Sequence, residues 1–316
     1  MRLESSHIVI NWFELRLERT AAAYAPSIRL LAGLRIAFGV WMVCFPVDVM
    51  WIAQVPAGFF HARPGLFSLM TGPPPHAFLA GLTIATALLG ALLAVGIFTL
   101  PVSVVLSAAL ITSSGLSYSY SKVDHFILFE LTPIFLAFAG WGSVWSLDAM
   151  LRRRRQSEYT AKSRGMPVLM FAMTVGWAML SAALPKIAGG WLDPTRLATR
   201  GYLARDIIRG EKLGPLAGWA LNIHSDFFWK ALDYATIIAE GGLIFAVLFP
   251  LAFRLWLTLL AAFHVSVYLT LGINFIDYAF VYTVFFSPVL GWLGAIFNGH
   301  RVLAAPEPSP SKVVAE

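Results

Sequence analysis

Apolar runs of membrane-crossing length recur eight times along this chain, and that recurrence constrains the fold more than any single motif. A helix needs about 20 predominantly apolar residues to cross a bilayer. The run cores lie at 28–46, 78–98, 101–118, 125–145, 166–185, 231–249, 255–273 and 278–297. Inside lipid a helix satisfies its own backbone groups. The expected fold is therefore all-α: a polytopic helical membrane bundle of about eight transmembrane helices. Only a tight turn at Leu100-Pro101 divides the second run from the third, so one broken hairpin is the alternative there.

Composition agrees. Apolar residues make up 58% of the 316 and charged residues 13%, against about 45–50% and 25% in soluble chains. Mean hydropathy is +0.73. That leaves too little polar surface for a large soluble domain. The lone Cys44 excludes an intrachain disulfide and a cysteine-rich metal site. The net charge of +6 sits in connections, which fits membrane orientation rather than nucleic-acid binding. Residues before Ile28 are polar and mixed in charge, and the first apolar run is long enough to stay in the membrane, so no cleavable signal peptide is expected.

Lysine and arginine set the expected orientation. The run Arg152–Arg155 directly follows a span and marks the cytoplasmic side. Eight crossings then place both termini in the cytoplasm of a multi-pass cytoplasmic-membrane protein. Residues 1–27 form a cytoplasmic segment with Ile8, Trp12 and Leu15 at helical spacing, read either as an interfacial helix or as a frayed tail. Residues 28–298 form the transmembrane domain. Residues 299–316 are rich in Pro and Ser and are expected to be a disordered cytoplasmic tail. The connection 186–230 is too long for a simple loop. It holds Trp191, Trp219 and Trp229, which suit a membrane interface, and four spaced arginines. It reads as a re-entrant or amphipathic connection of short helices over the outer mouth.

Ionisable groups at membrane depth are costly and mark function by default. Asp124 and His125 open the fourth span, Lys186 closes the fifth, and Asp277 starts the eighth. Glu240 and His264 each lie about nine residues from the outer end of their spans, so at about 1.5 Å per residue they reach similar depth. Asp233, seven residues before Glu240, shares its helix face. The inner half of the last three runs carries no charge, which points to a polar cavity opening outward. Plainer readings stand beside this one. Lys186 can snorkel to the interface, His264 can be a neutral bonded histidine, Glu240 can be a structural ion partner, and Asp148 can be a helix-end residue meeting the arginine run. Arg35 faces the bundle in either reading. Glu130 lies about 140° around the helix from His125 and is left outside the site.

Three segments carry a resemblance. The first is Asp124-His125 opening a span that ends in Trp145-Ser146-Leu147-Asp148. The second is Ala182-Ala183-Leu184-Pro185-Lys186-Ile187 with Trp191, and the third is Phe263-His264 with Gly272 and Phe275. In this order they resemble the membrane part of the vitamin K-dependent gamma-carboxylase family, the horizontally transferred transmembrane (HTTM) superfamily, over roughly residues 28–298. The resemblance implies a site where Lys186 deprotonates a reduced quinone, supported by His125 and His264. A lysine in an apolar pocket loses its proton more readily, and a dry cavity protects a reactive intermediate. The family's Asn before the histidine is Asp124 here, and its second lysine is Pro185. Its large soluble substrate-binding region has no counterpart, so glutamate carboxylation does not follow.

The expected function is a quinol-dependent enzyme that modifies a small molecule or an exported peptide. Its catalytic residues would be Lys186, His125 and His264, with Asp124, Glu240 and Asp233 in support. The expected partners are the bilayer, a lipid quinone, and a secreted peptide or membrane partner. Two alternatives remain at this point. One is a non-enzymatic accessory protein for maturation or export, with the charged column holding helices in register. The other is a redox component resembling the DoxX and MauE types. A haem bound between His125 and His264 is disfavoured by their difference in depth, and no metal is expected.

Overall fold

The computed structural model describes residues 14–62, 66–120, 126–155, 160–287 and 290, and every regular element among them is helical. In chain order these are α1 (Glu14–Ala23), α2 (Ile28–Cys44), α3 (His76–Val95), α4 (Thr99–Tyr118), α5 (Ile127–Ala139), α6 (Leu147–Arg155), α7 (Gly165–Ala188), α8 (Ala198–Ile208), α9 (Ala217–Leu221), α10 (Asp226–Ala246), α11 (Pro250–Leu271) and α12 (Tyr278–Thr283). Short 3-10 turns follow α2 and α12.

Four helices, α3, α4, α7 and α11, are long and apolar enough to cross a membrane. A fifth crossing is available if α1 and α2, bent by 63°, act as one. The outward faces of these helices are apolar: Leu88, Trp177, Leu255 and Leu259 are each more than 60% exposed. Surfaces of that kind belong in lipid rather than in water, and the chain is a helical membrane protein.

Several expected runs change shape for local reasons. The fourth stops at Ala139 because Gly140 takes a left-handed conformation (φ 102°) and caps the helix on Leu136 and Ala137. Residues 141–145, expected to be in the span, instead form a bend in which Trp145 has φ 52°. The second and third runs are two separate 20-residue helices. Their turn lies at 96–98 rather than at Leu100-Pro101, and Pro101 sits within the first turn of α4, where a missing N–H is harmless. The sixth run lies mostly in α10, which is 21 residues long but carries Asp226, Lys230, Asp233 and Glu240. Only the first part of the eighth, α12 and its 3-10 extension to Phe286, lies largely within the described residues.

At the α6 end, charged groups join helices. Arg35 is fully buried and donates to Leu93 O at 2.9 Å and to Trp145 O. Gly96 lies against that guanidinium with φ 78°, so a side chain there would meet both a strained backbone and Arg35. Asp148 accepts from Phe98 N (3.0 Å) and Thr99 N (2.7 Å) and so caps α4 from a distant helix. Ser146 caps α6 by accepting from Ala149 N at 3.0 Å. Arg254, expected in a connection, lies inside α11 and donates to Phe285 O (2.8 Å) and Ala23 O (2.7 Å). The helix thus begins earlier than the run 255–273 and includes a charge that the run does not.

Small residues bring the central pair, α7 and α10, together. Gly176 meets Ile244, and Gly241 meets Ala183. Close backbone approach of this kind drives helix association in lipid. Over the opposite end, α8 and α9 pack around Trp229. That residue is 2% exposed and donates to Ile223 O at 2.8 Å. Trp229 is thus a core residue rather than an interfacial one, whereas Trp219 is exposed.

Candidate functional site

Helices α7, α10 and α11 enclose a cavity of about 470 Å³ that is roofed in part by α8. Lys186 enters from the last turn of α7, just past Pro185. There the chain folds back, with Trp191 N donating to Lys186 O at 3.1 Å. This places the Trp191 ring 5.7 Å from the Lys186 ammonium, within cation–π range. Glu240 enters from the middle of α10. Lys186 Nζ donates to both of its carboxylate oxygens, with the Oε1 contact at 2.5 Å. The Glu240 side chain is 7% exposed and that of Lys186 is 26%, so the pair is shielded from its carboxylate side. Among the described residues, Lys186 and Glu240 are the only acidic or basic side chains on the cavity wall besides His264.

His264 reaches the same cavity from α11 and is held by aromatic rings. It stacks on Phe275 at 4.1 Å and 9°, lies edge-on to Tyr278 at 5.2 Å, and has Tyr282 Oη 3.2 Å from Nδ1. Gly272 ends α11 in a left-handed turn (φ 69°), which turns the chain back so that Phe275 can lie beside His264.

Amine, carboxylate and imidazole from three helices thus line one space whose remaining walls are mostly apolar, including Met179, Leu232, Phe263 and Val267. A second hollow of about 210 Å³ beneath α8 and α9 shares the walls Thr199, Leu232, Ser266 and Thr270. Together they offer room for a flat ring and the start of an apolar tail. Two acceptor oxygens and a three-donor ammonium can hold and exchange protons with a hydroxyl or carbonyl placed beside them.

Asp233 has a different position from Glu240 despite their common helix face. It is fully buried and accepts from Ala198 N (2.9 Å), Thr199 N (2.8 Å) and the Thr199 hydroxyl (2.7 Å). Lys230 Nζ lies 3.2 Å from it and also donates to Trp191 O and Arg196 O. The Asp233 carboxylate anchors the start of α8 and thereby the roof of the cavity. Asp124 and His125 lie outside the described residues, and Ile127, two residues on, lines the cavity. Trp191, Thr199 and Tyr202 also line it and were not among the expected site residues. The three-residue spacing of Thr199 and Tyr202, which puts both on one face of a helix, was the available signal.

The Trp145-Ser146-Leu147-Asp148 segment lies at the other end of the bundle. There it makes the cap and backbone bonds described above, with no part in this cavity.

Searches against family models, curated proteins and solved structures found no match to this chain.

Proposed function

We propose that this chain is an eight-crossing protein of the cytoplasmic membrane, with both termini in the cytoplasm, that binds a lipid quinol in the Lys186–Glu240–His264 cavity. In this reading it is a distant relative of the gamma-carboxylase (HTTM) superfamily and acts as a quinol-dependent enzyme on a small molecule or exported peptide. The observation that carries the proposal is the bonded Lys186–Glu240 pair, alone in a mostly apolar cavity at the depth of neighbouring helices. A lipid-soluble hydroxyaromatic is the ligand whose body suits such walls and whose hydroxyl suits such a pair. Lys186, as the free amine, takes the quinol proton and becomes an ammonium. Glu240 keeps the resulting charge paired, and His264, fixed by Phe275 and Tyr282, orients the ring from the far wall. The test is lipid extraction and mass spectrometry of the purified protein. A co-purifying quinone, lost in Lys186→Ala at unchanged membrane level, is expected. No quinone in the wild type would overturn the proposal.

One observation favours a second, non-enzymatic reading. The pair bridges α7 and α10, two helices that pack against each other through small residues. An ion pair there can serve as a staple that keeps an accessory protein in register. Under that reading Lys186→Ala removes the protein from the membrane, and the swap Lys186→Glu with Glu240→Lys restores it.

A further inference from the structure

A second cavity, separate from the first, contains the group that the sequence reading set aside. Helices α2, α4 and α5 surround a space of about 500 Å³. Glu130 forms part of its wall and is 2% exposed. Ser114 lies on the same wall beside the Glu130 carboxyl group. Glu130 Oε1, however, is buried without a hydrogen-bond partner among the described residues. A buried carboxylate oxygen with no donor is costly in apolar surroundings, and either protonation or a donor entering the cavity relieves it.

The rest of the cavity indicates which donor would suit it. Asp277, at the start of α12, contributes a second carboxylate, and no hydrogen bond or ion pair engages it among the described residues. Burial pushes its carboxyl up, as expected of an acid without a cationic neighbour. The described walls hold no Lys, Arg or His. They hold the rings of Trp41, Phe45, Tyr118, Phe126 and Phe129 instead. Phe45 and Phe126 are 60% and 41% exposed, which places the mouth where α2 ends and α5 begins. Two acids inside an aromatic enclosure attract one kind of guest: a cation whose charge the carboxylates neutralise and whose body the ring faces accept.

We propose that this cavity binds a small protonated amine with an apolar body, its N–H donating to Glu130 Oε1 and its charge shared with Asp277. A primary amine fits better than a quaternary one, because the missing partner of Oε1 is a hydrogen-bond donor. The site is independent of the quinol proposal: the wall residues of the two cavities do not overlap.

The test is equilibrium binding of radiolabelled 2-phenylethylamine to the full chain in nanodiscs, with 2-phenylethanol as a neutral probe of the same shape. Saturable binding of the amine is expected, with the alcohol failing to compete. Glu130→Gln should weaken binding about tenfold or more, as loss of a charge-assisted hydrogen bond does, and Asp277→Asn should weaken it by a smaller factor. If Glu130→Gln does not fold, Asp277→Asn and Trp41→Leu decide the matter in the same assay. The proposal is overturned by the absence of saturable uptake at millimolar amine. It is equally overturned by affinity unchanged in the folded variants, or by the alcohol competing as well as the amine.

Discussion

The two ends of the helical bundle use their ionisable side chains in opposite ways. At the α6 end, Arg35, Asp148 and Arg254 are bonded to backbone groups of other elements, closing helix ends that would otherwise be left with bare carbonyls and amides. At the α8–α9 end, Lys186, Glu240, His264 and Glu130 border open space. Charge used to join helices is matched to fixed partners within the protein. Charge on a cavity wall, even where it is paired as Lys186 and Glu240 are, stays within reach of whatever enters the space.

The comparison breaks first at Arg35 if it is wrong. Arg35→Met leaves Leu93 O and Trp145 O without their donor, and it should cost about 1–3 kcal/mol for each carbonyl, the usual loss when a buried acceptor is left unsatisfied. The thermal midpoint of the detergent-solubilised protein, or its level in membranes, reads this out. Arg35→Lys should recover only part of the loss, because a single ammonium cannot reproduce the forked geometry.

Asp233 sharpens the comparison from the other end. It lies at the cavity end yet is bonded to fixed partners, in the first turn of α8. Asp233→Asn should cost about 2–3 kcal/mol, since hydrogen bonds to a buried charge are the strong ones. It should also lower quinone retention by loosening the roof while the Lys186–Glu240 pair stays in place. Asp148→Asn should cost less, about 1–2 kcal/mol, as loss of a helix cap does. It should leave retention unchanged, because its bonds lie at the end of the bundle away from the cavity.

What was legible in the sequence follows from the range of each interaction. Apolar run length located the helices that are long and apolar enough to cross, because that signal is local. It failed at Gly140, where one left-handed residue ends a helix within an unbroken apolar run. Glu240 and His264 could be set at one depth by counting residues, and both line the same cavity. Asp233 and Glu240 share a face but sit about 10 Å apart along the axis, so their carboxylates meet different neighbours. No wheel projection shows that separation. Glu130 was left out because it was measured against His125 alone. Its surroundings come from α2 and α4, which no reading of α5 contains. The Arg35 and Asp148 bonds span 58 and 49 residues, and such partners are set by packing rather than by pattern.

The smallest expected change in stability accompanies the most informative change in function. Replacing both members of the pair, Lys186→Met with Glu240→Met, removes two charges together and leaves neither unpaired. Buried ion pairs exchanged for apolar side chains commonly alter stability little, and a shift within about 1 kcal/mol is expected. Quinone content per mole of this double variant, measured by mass spectrometry beside the wild type at matched thermal stability, tests the central claim most directly. A folded variant stripped of quinone is the predicted result. A folded variant that carries as much quinone as the wild type would contradict it.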